Sequence, residues 1–292
     1  MTALFDTVII VDWSASAKPS PARPSADAIW IGVMGVGETQ PTYHRTRAQA
    51  EIALTGLLYS QVAKGRRVLL GFDFPLGYPQ GFAQRLTGTP GARAVWNWMA
   101  NHVTDGPDNA NNRFQIAARI NASFGGGGPF WGRPATLHLP HLSDRKTVNY
   151  TTLGFAERRR VETELPRAQP TWKLFTTGSV GSQAIMGLPL IARLASRPDT
   201  AVWPFDPITD ASLVIAEIYP SLIDPAVQRA VKGNEIKDSA QVRLLAQSLW
   251  QLGQNSAGLL PLINDVPDWP GRADEGWILG AGHGPRLSKA LG

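Results

Sequence analysis

The sequence predicts an α/β protein built on a central sheet, and three observations predict it. TVIIVD at 7–12, rich in β-branched residues, and VLLGFD at 68–73 are short and apolar, and each ends on an aspartate. Between them Ala50, Ala53, Leu54, Leu57, Leu58 and Val62 recur at helical spacing. A third apolar run, LVIAEIYP at 213–220, stops at proline and is followed by an amphipathic stretch at 237–252.

Taken in order, residues 7–12 and 28–35 (AIWIGVMG) predict strands, and 41–45 (PTYHR) predicts a shorter third. The helix that follows ends at Lys64-Gly65, a basic residue and a glycine in the positions that terminate helices. Residues 68–73 then predict a buried central strand. The β-β-β-α-β start thus delivers Asp12 and Asp73 at the C-terminal ends of its two most apolar strands, where open α/β sheets gather ligands.

Residues 74–212 are rich in Pro, Gly and aromatic residues, as in FPLGYPQGF, FGGGGPFWGRP and WPFDP, with helices expected at 91–103 and 180–196. This stretch reads as a loop-rich and helical insertion between the fourth and fifth strands of one domain spanning 1–292; it reads equally as a second lobe. The fifth strand, 213–218, carries Glu217 in its middle. Val242, Leu245, Leu249 and Leu252 share one face of the helix at 237–252, with Asp238 or Ser239 available as its cap. A last short helix is expected to begin at Asp274-Glu275 and run through Trp277, Ile278 and Leu279.

Composition narrows the chemistry. With 43% hydrophobic and 17% charged residues, the 292-residue chain is expected to fold around a substantial core. The absence of cysteine excludes disulfides, thiolate metal sites and a cysteine nucleophile. Five histidines form no H-E-x-x-H pattern. A net charge of +5 permits an anionic partner such as a nucleic acid or nucleotide. The N-terminus has no basic start with a long apolar core, and no run is long enough to span a bilayer. A cytoplasmic protein with no membrane partner is the resulting expectation.

Four acidic positions stand out: Asp12, Asp73, Glu217 and the pair Asp274/Glu275. Carboxylates carried on neighbouring strand ends can hold divalent ions, and hard oxygen ligands suit magnesium or manganese. Each acid also has a plainer role. Asp12 or Asp73 alone can be a turn former, and Asp274 or Glu275 a helix cap. Glu217, buried in a strand, needs a counter-charge, and an arginine would serve as well as a metal. Ser14, Lys18, Arg158 (with Arg159 and Arg160), Ser179 and Lys237 are candidates for contacting a substrate phosphate. The glycine run and TTGSVGSQ at 176–183 have the composition of anion-binding loops, although a flexible loop and a helix cap explain them too.

VDWSASAKP, GFDFPLGYP, EIYPS, KDSAQVR and DEGWILG, in that order, resemble the domain-of-unknown-function family of predicted ribonuclease H-like nucleases. DFPLG with E-x-Y-P-S is the more specific pair. The resemblance implies a ribonuclease H or RuvC-like fold, a mixed five-stranded sheet flanked by helices in which three antiparallel strands precede the first helix. It implies catalytic roles for Asp12, Asp73 and Glu217, with Asp274 or Glu275 opening a C-terminal helix. The family's Asp-Ala helix start is here Asp-Glu-Gly-Trp. The expected function is a metal-dependent nuclease or phosphodiesterase that uses magnesium or manganese in a two-metal mechanism. The alternatives are a non-hydrolytic nucleotide-binding protein, since similar sequences have been linked to molybdopterin guanine dinucleotide synthesis, and a structural or partner-binding protein.

Overall fold

Six strands make up the sheet among the described residues: β1 (Thr7–Asp12), β2 (Ile29–Met34), β3 (Thr42–His44), β4 (Val68–Phe72), β5 (Thr200–Trp203) and β6 (Leu213–Glu217). The computed structural model describes every residue except 1, 2, 36–39, 166 and 232. Spatial order is β3-β2-β1-β4-β6-β5. β1, β2 and β3 are antiparallel neighbours, whereas β4, β6 and β5 continue parallel to β1.

The expectation of five strands is corrected by β5, which forms the edge beside β6. Its four residues lead straight into WPFDP, and so short a run beside a proline cluster carries almost no strand signal. Part of the stretch at 74–212 is therefore sheet.

The helices are α1 (Arg47–Val62), α2 (Phe82–Thr87), α3 (Ala92–His102), α4 (Arg113–Ser123), α5 (Tyr150–Leu153), α6 (Arg160–Glu164), α7 (Gly181–Ala195), α8 (Asp224–Ala230), α9 (Lys237–Gly253), α10 (Ser256–Asn264), α11 (Arg272–Glu275) and α12 (Gly284–Lys289). The helices expected at 91–103, 180–196 and 237–252 form within a residue or two of those limits. The last expected helix does not: α11 stops at Glu275, Gly276 turns with φ +66°, and Ile278 bridges to Glu217 in extended form. Asp274 and Glu275 thus end a single turn instead of opening a helix.

Alternation along the strands divides the core in two. Ile9, Val11, Leu70, Phe72, Leu213 and Ile215 point to the face covered by α1, α3, α4 and α7. Val8, Ile10, Leu69, Val214 and Ala216 point to the opposite face, under α8, α9, α10 and α12. Much of the excursion between β4 and β5 is thus the cover of one sheet face.

α9 lies unusually close to β2. A Cβ at Gly32 would stand 2.6 Å from the carbonyl oxygen of Val242, a contact no side chain can make without displacing backbone. Gly32→Ala is expected to destabilise the fold by about 1–3 kcal/mol through this overpacking, read as a lower urea midpoint at unchanged slope. No helix among the described residues is long and apolar enough to cross a membrane.

Candidate functional site

Asp12 is the last residue of β1, and Asp73 follows the last residue of β4. The strands run parallel with Val11 beside Phe72, so the two aspartates emerge side by side one position further on. Their carboxyls influence each other's titration, and the Trp13 amide donates to Asp73 Oδ1 at 2.8 Å. The Trp13 ring packs edge-on against Phe72 and against Phe74, so the donor is fixed by core packing.

Burial raises the Asp12 pKa well above the ordinary carboxylate range, and the negative charges of Asp73, Asp238 and Asp27 add to the effect. Burial also lifts Asp73, to about 7, against the lowering influence of the Trp13 amide and the Asp12 side chain. The charges with the largest influence on the pair are carboxylates, Asp238 foremost beyond the pair itself. Two adjacent carboxylates without a cation hold a proton between them, and a metal ion would take its place.

The third acid that acts on this pair is Asp238, in the first turn of α9. Its Oδ2 accepts from the Asp27 amide at 2.9 Å, and it makes no capping bond to its own helix. The expected capping role is thereby corrected. Burial raises its pKa, with the Asp27 charge adding to the shift and the Asp27 amide opposing it. α9 covers the face toward which Val8 and Ile10 point, and alternation directs Asp12 the same way.

Glu217 faces the other way. It pairs in register with Phe72, one residue short of Asp73, and shares the face of Leu213 and Ile215. There it meets Arg159 in a bidentate ion pair, Nη2 to Oε1 at 2.6 Å and Nη1 to Oε2 at 2.7 Å, and its Oε2 also accepts from the Leu76 amide at 3.0 Å. Arg159 Nε donates to Glu162 Oε1 at 2.8 Å and Nη1 to the Glu275 carbonyl at 3.0 Å. Arg159, Glu162 and Glu217 are each at most 3% exposed as residues. Burial opposes the charge of Arg159, yet Glu217 and Glu162 raise its pKa above that of an ordinary arginine.

Glu275 accepts from the amides of Gln80 and Arg160, and Asp274 from those of Gly81 and Gly91. Both acids therefore tie loops together. The expected convergence of Asp12, Asp73, Glu217 and Asp274 or Glu275 is not what the structure arranges: the first two meet, and the others are committed to Arg159 or to backbone amides. Among the described residues no group of three acidic or histidine side chains has metal-holding geometry.

The candidates for substrate contact are equally divided. Ser14 is buried, and its hydroxyl donates to the Asp27 carbonyl. Lys18 is exposed on the same loop. Arg158 donates to the carbonyls of Glu162 and Ala168, so it braces a turn. Lys237 lies 3.5 Å from Asp224. Ser179 sits in the turn before α7, next to Val180, which lines a narrow cleft with Asp73, Arg159, Glu217 and Tyr219. The loop after Asp12 is held by Arg47, which donates to the carbonyls of Ser14, Ser16 and Asn109 and to both carboxylate oxygens of Asp105.

No protein-family model, curated protein or solved structure matches the chain.

Proposed function

We propose that the protein is a metal-dependent nuclease or phosphodiesterase whose centre is the Asp12–Asp73 pair with Asp238 beside it. The observation that carries this reading is the pair itself: two carboxyls side by side at the ends of adjacent parallel strands, both raised in pKa, with the acids Asp238 and Asp27 as their charged neighbours. The chemistry of two adjacent carboxylates suits a hard divalent cation, magnesium or manganese, which Asp12 and Asp73 would hold; Asp238 adds negative charge without completing a three-acid group. When bound, the ion supplies Lewis-acid polarisation of a phosphoryl oxygen and a more acidic water.

The chain's own contribution is placement. The Trp13 amide fixes Asp73, and the Asp27 amide fixes Asp238. The Arg159 cluster ties down the loop after β4, which begins at Asp73, through the Leu76 amide. The strand order, three antiparallel strands followed by parallel ones, supports a ribonuclease H-like fold with one added edge strand. KDSAQVR then supplies the acid at a helix start that the resemblance implied further on, with Asp238-Ser239-Ala240 in place of Asp274-Glu275.

The test is cleavage of single- and double-stranded oligonucleotides and of a cyclic dinucleotide with manganese. Asp12→Asn, Asp73→Asn and Asp238→Asn are each expected to lower the rate by 100-fold or more, roughly the loss seen when one electrostatic participant is removed. Lys18→Ala should leave metal affinity unchanged. Absence of cleavage on all these substrates, together with unchanged manganese affinity in Asp12→Asn, would overturn the reading.

A further inference from the structure

We propose that Arg113 is the anchor for a non-scissile phosphate of a nucleic-acid strand, bound beside the loop that starts at Asp12. The inference rests on the phosphodiesterase reading for its substrate class. Its own footing is a charge imbalance at the base of that loop.

Two guanidiniums lie there. Arg47, 2% exposed, spends all its donors on Asp105 and three carbonyls. Arg113, the first residue of α4, is partly buried, and among the described residues its side chain makes one hydrogen bond, from Nη1 to Asn111 Oδ1 at 2.8 Å. Its Nε is buried with no acceptor among the described residues, and no carboxylate pairs with it. Asp105 is already engaged in both oxygens by Arg47, and the exposed Asp108 accepts from the Ala110 amide of its own turn. Arg113 is thus left without a carboxylate partner among the described residues, while Arg47 has Asp105.

A partly desolvated cation without a counter-charge is unfavourable unless an anion completes it. Burial and the charge of Arg47 lower the Arg113 pKa to about 10, which is the expected sign for a missing anion. Arg159, a fully buried guanidinium, has two carboxylates of its own.

The location selects the ligand. Asn111, which holds Arg113, also donates to the Ser16 carbonyl at 3.2 Å, so the free guanidinium hangs from the loop running from Asp12 to exposed Lys18. Its Cζ lies over the Phe114 ring, 4.4 Å from the centroid, which restrains the side chain. A planar fork with free donors matches phosphate oxygens. A strand whose scissile phosphate lies at the acidic pair would bring a neighbouring phosphate along this loop.

The experiment is a fluorescence anisotropy titration of a labelled single-stranded oligonucleotide in EDTA, where metal-dependent cleavage is silent, repeated over a salt series. Arg113→Ala is expected to weaken binding about tenfold and to reduce the slope of log K against log salt by about 0.7, the contribution of one phosphate contact on a single strand. Arg113→Lys should keep the slope while losing part of the affinity, and Arg193→Ala, at an exposed pair with Glu51, should match the wild type. Inorganic phosphate and a nucleoside monophosphate serve as competitors. Competition at concentrations far above those of the strand supports a strand ligand; equal potency of the monophosphate overturns the strand in favour of a free nucleotide.

Unchanged affinity and slope in a folded Arg113→Ala protein that still cleaves would overturn this proposal alone. Arg113-dependent binding without cleavage by the wild type would overturn the hydrolytic reading alone. Circular dichroism melting of each variant separates lost binding from lost folding.

Discussion

Replacing Asp73 by Asn raises the melting temperature of the metal-free protein at pH 8. Asp73 has its pKa raised in the folded state, so between about pH 4 and pH 7 the native chain keeps protons that the unfolded chain has released. Stability therefore falls as pH rises through that window, and the penalty is complete above it. Discounted for partial solvent contact, its relief is about 1–3 kcal/mol, or roughly 2–6 °C for a chain of this size. Asn keeps the oxygen that the Trp13 amide requires. The gain should shrink as pH falls toward 4 and vanish below about pH 3, where both states of the wild type are protonated. Differential scanning calorimetry in EDTA measures it, and a lower melting temperature at pH 8 would show that the pair is not a source of strain. Manganese should oppose the same strain, stabilising the wild type more at pH 8 than at pH 5 and Asp73→Asn less than either. Loss of activity with gain of stability is the pattern expected at a functional centre.

Arg159→Met should have the opposite effect and the largest one. It leaves Glu217 and Glu162, both buried, without a counter-charge, and releases the carbonyl of Glu275. Breaking one partner of such a pair costs about 3–5 kcal/mol. The double variant Arg159→Met with Glu217→Gln should recover a substantial part, because the amide is neutral and still bonds the Leu76 amide through its oxygen. Urea denaturation of the two single variants and the double variant gives the coupling energy directly. A near-zero coupling would remove Arg159 as the reason for a glutamate in β6.

Much of the fold was legible in the sequence because its signals are local. The apolar runs that became β1 and β4, and the helical spacing of α1 and α9, depend only on near neighbours. Asp12 and Asp73 were legible for the same reason, each closing its own strand. Glu217 was not, because β6 is buried on both faces and its sequence carries no alternation to show which side the glutamate takes. One step of register sends it to Arg159 instead of toward Asp12. Arg159 lay hidden between two arginines, and only tertiary packing distinguishes the buried member of a basic run. Asp238 had a capping position in sequence, and nothing local reveals that its acceptor is filled by Asp27, distant in the chain.

The ion-pair cluster also sets an order in time. Arg159 is made 58 residues before Glu217 and 116 before the Glu275 carbonyl that it binds. A chain growing from its N-terminus exposes the apolar strand β4, with Asp73 behind it, long before β6 arrives to lie beside it. The Arg159 guanidinium stays hydrated until the final quarter of the chain is present, and closing it then dehydrates three charges in one event. Such distant closures make the entropy loss precede the contacts that offset it, so the centre of this protein is among the last parts to set during synthesis.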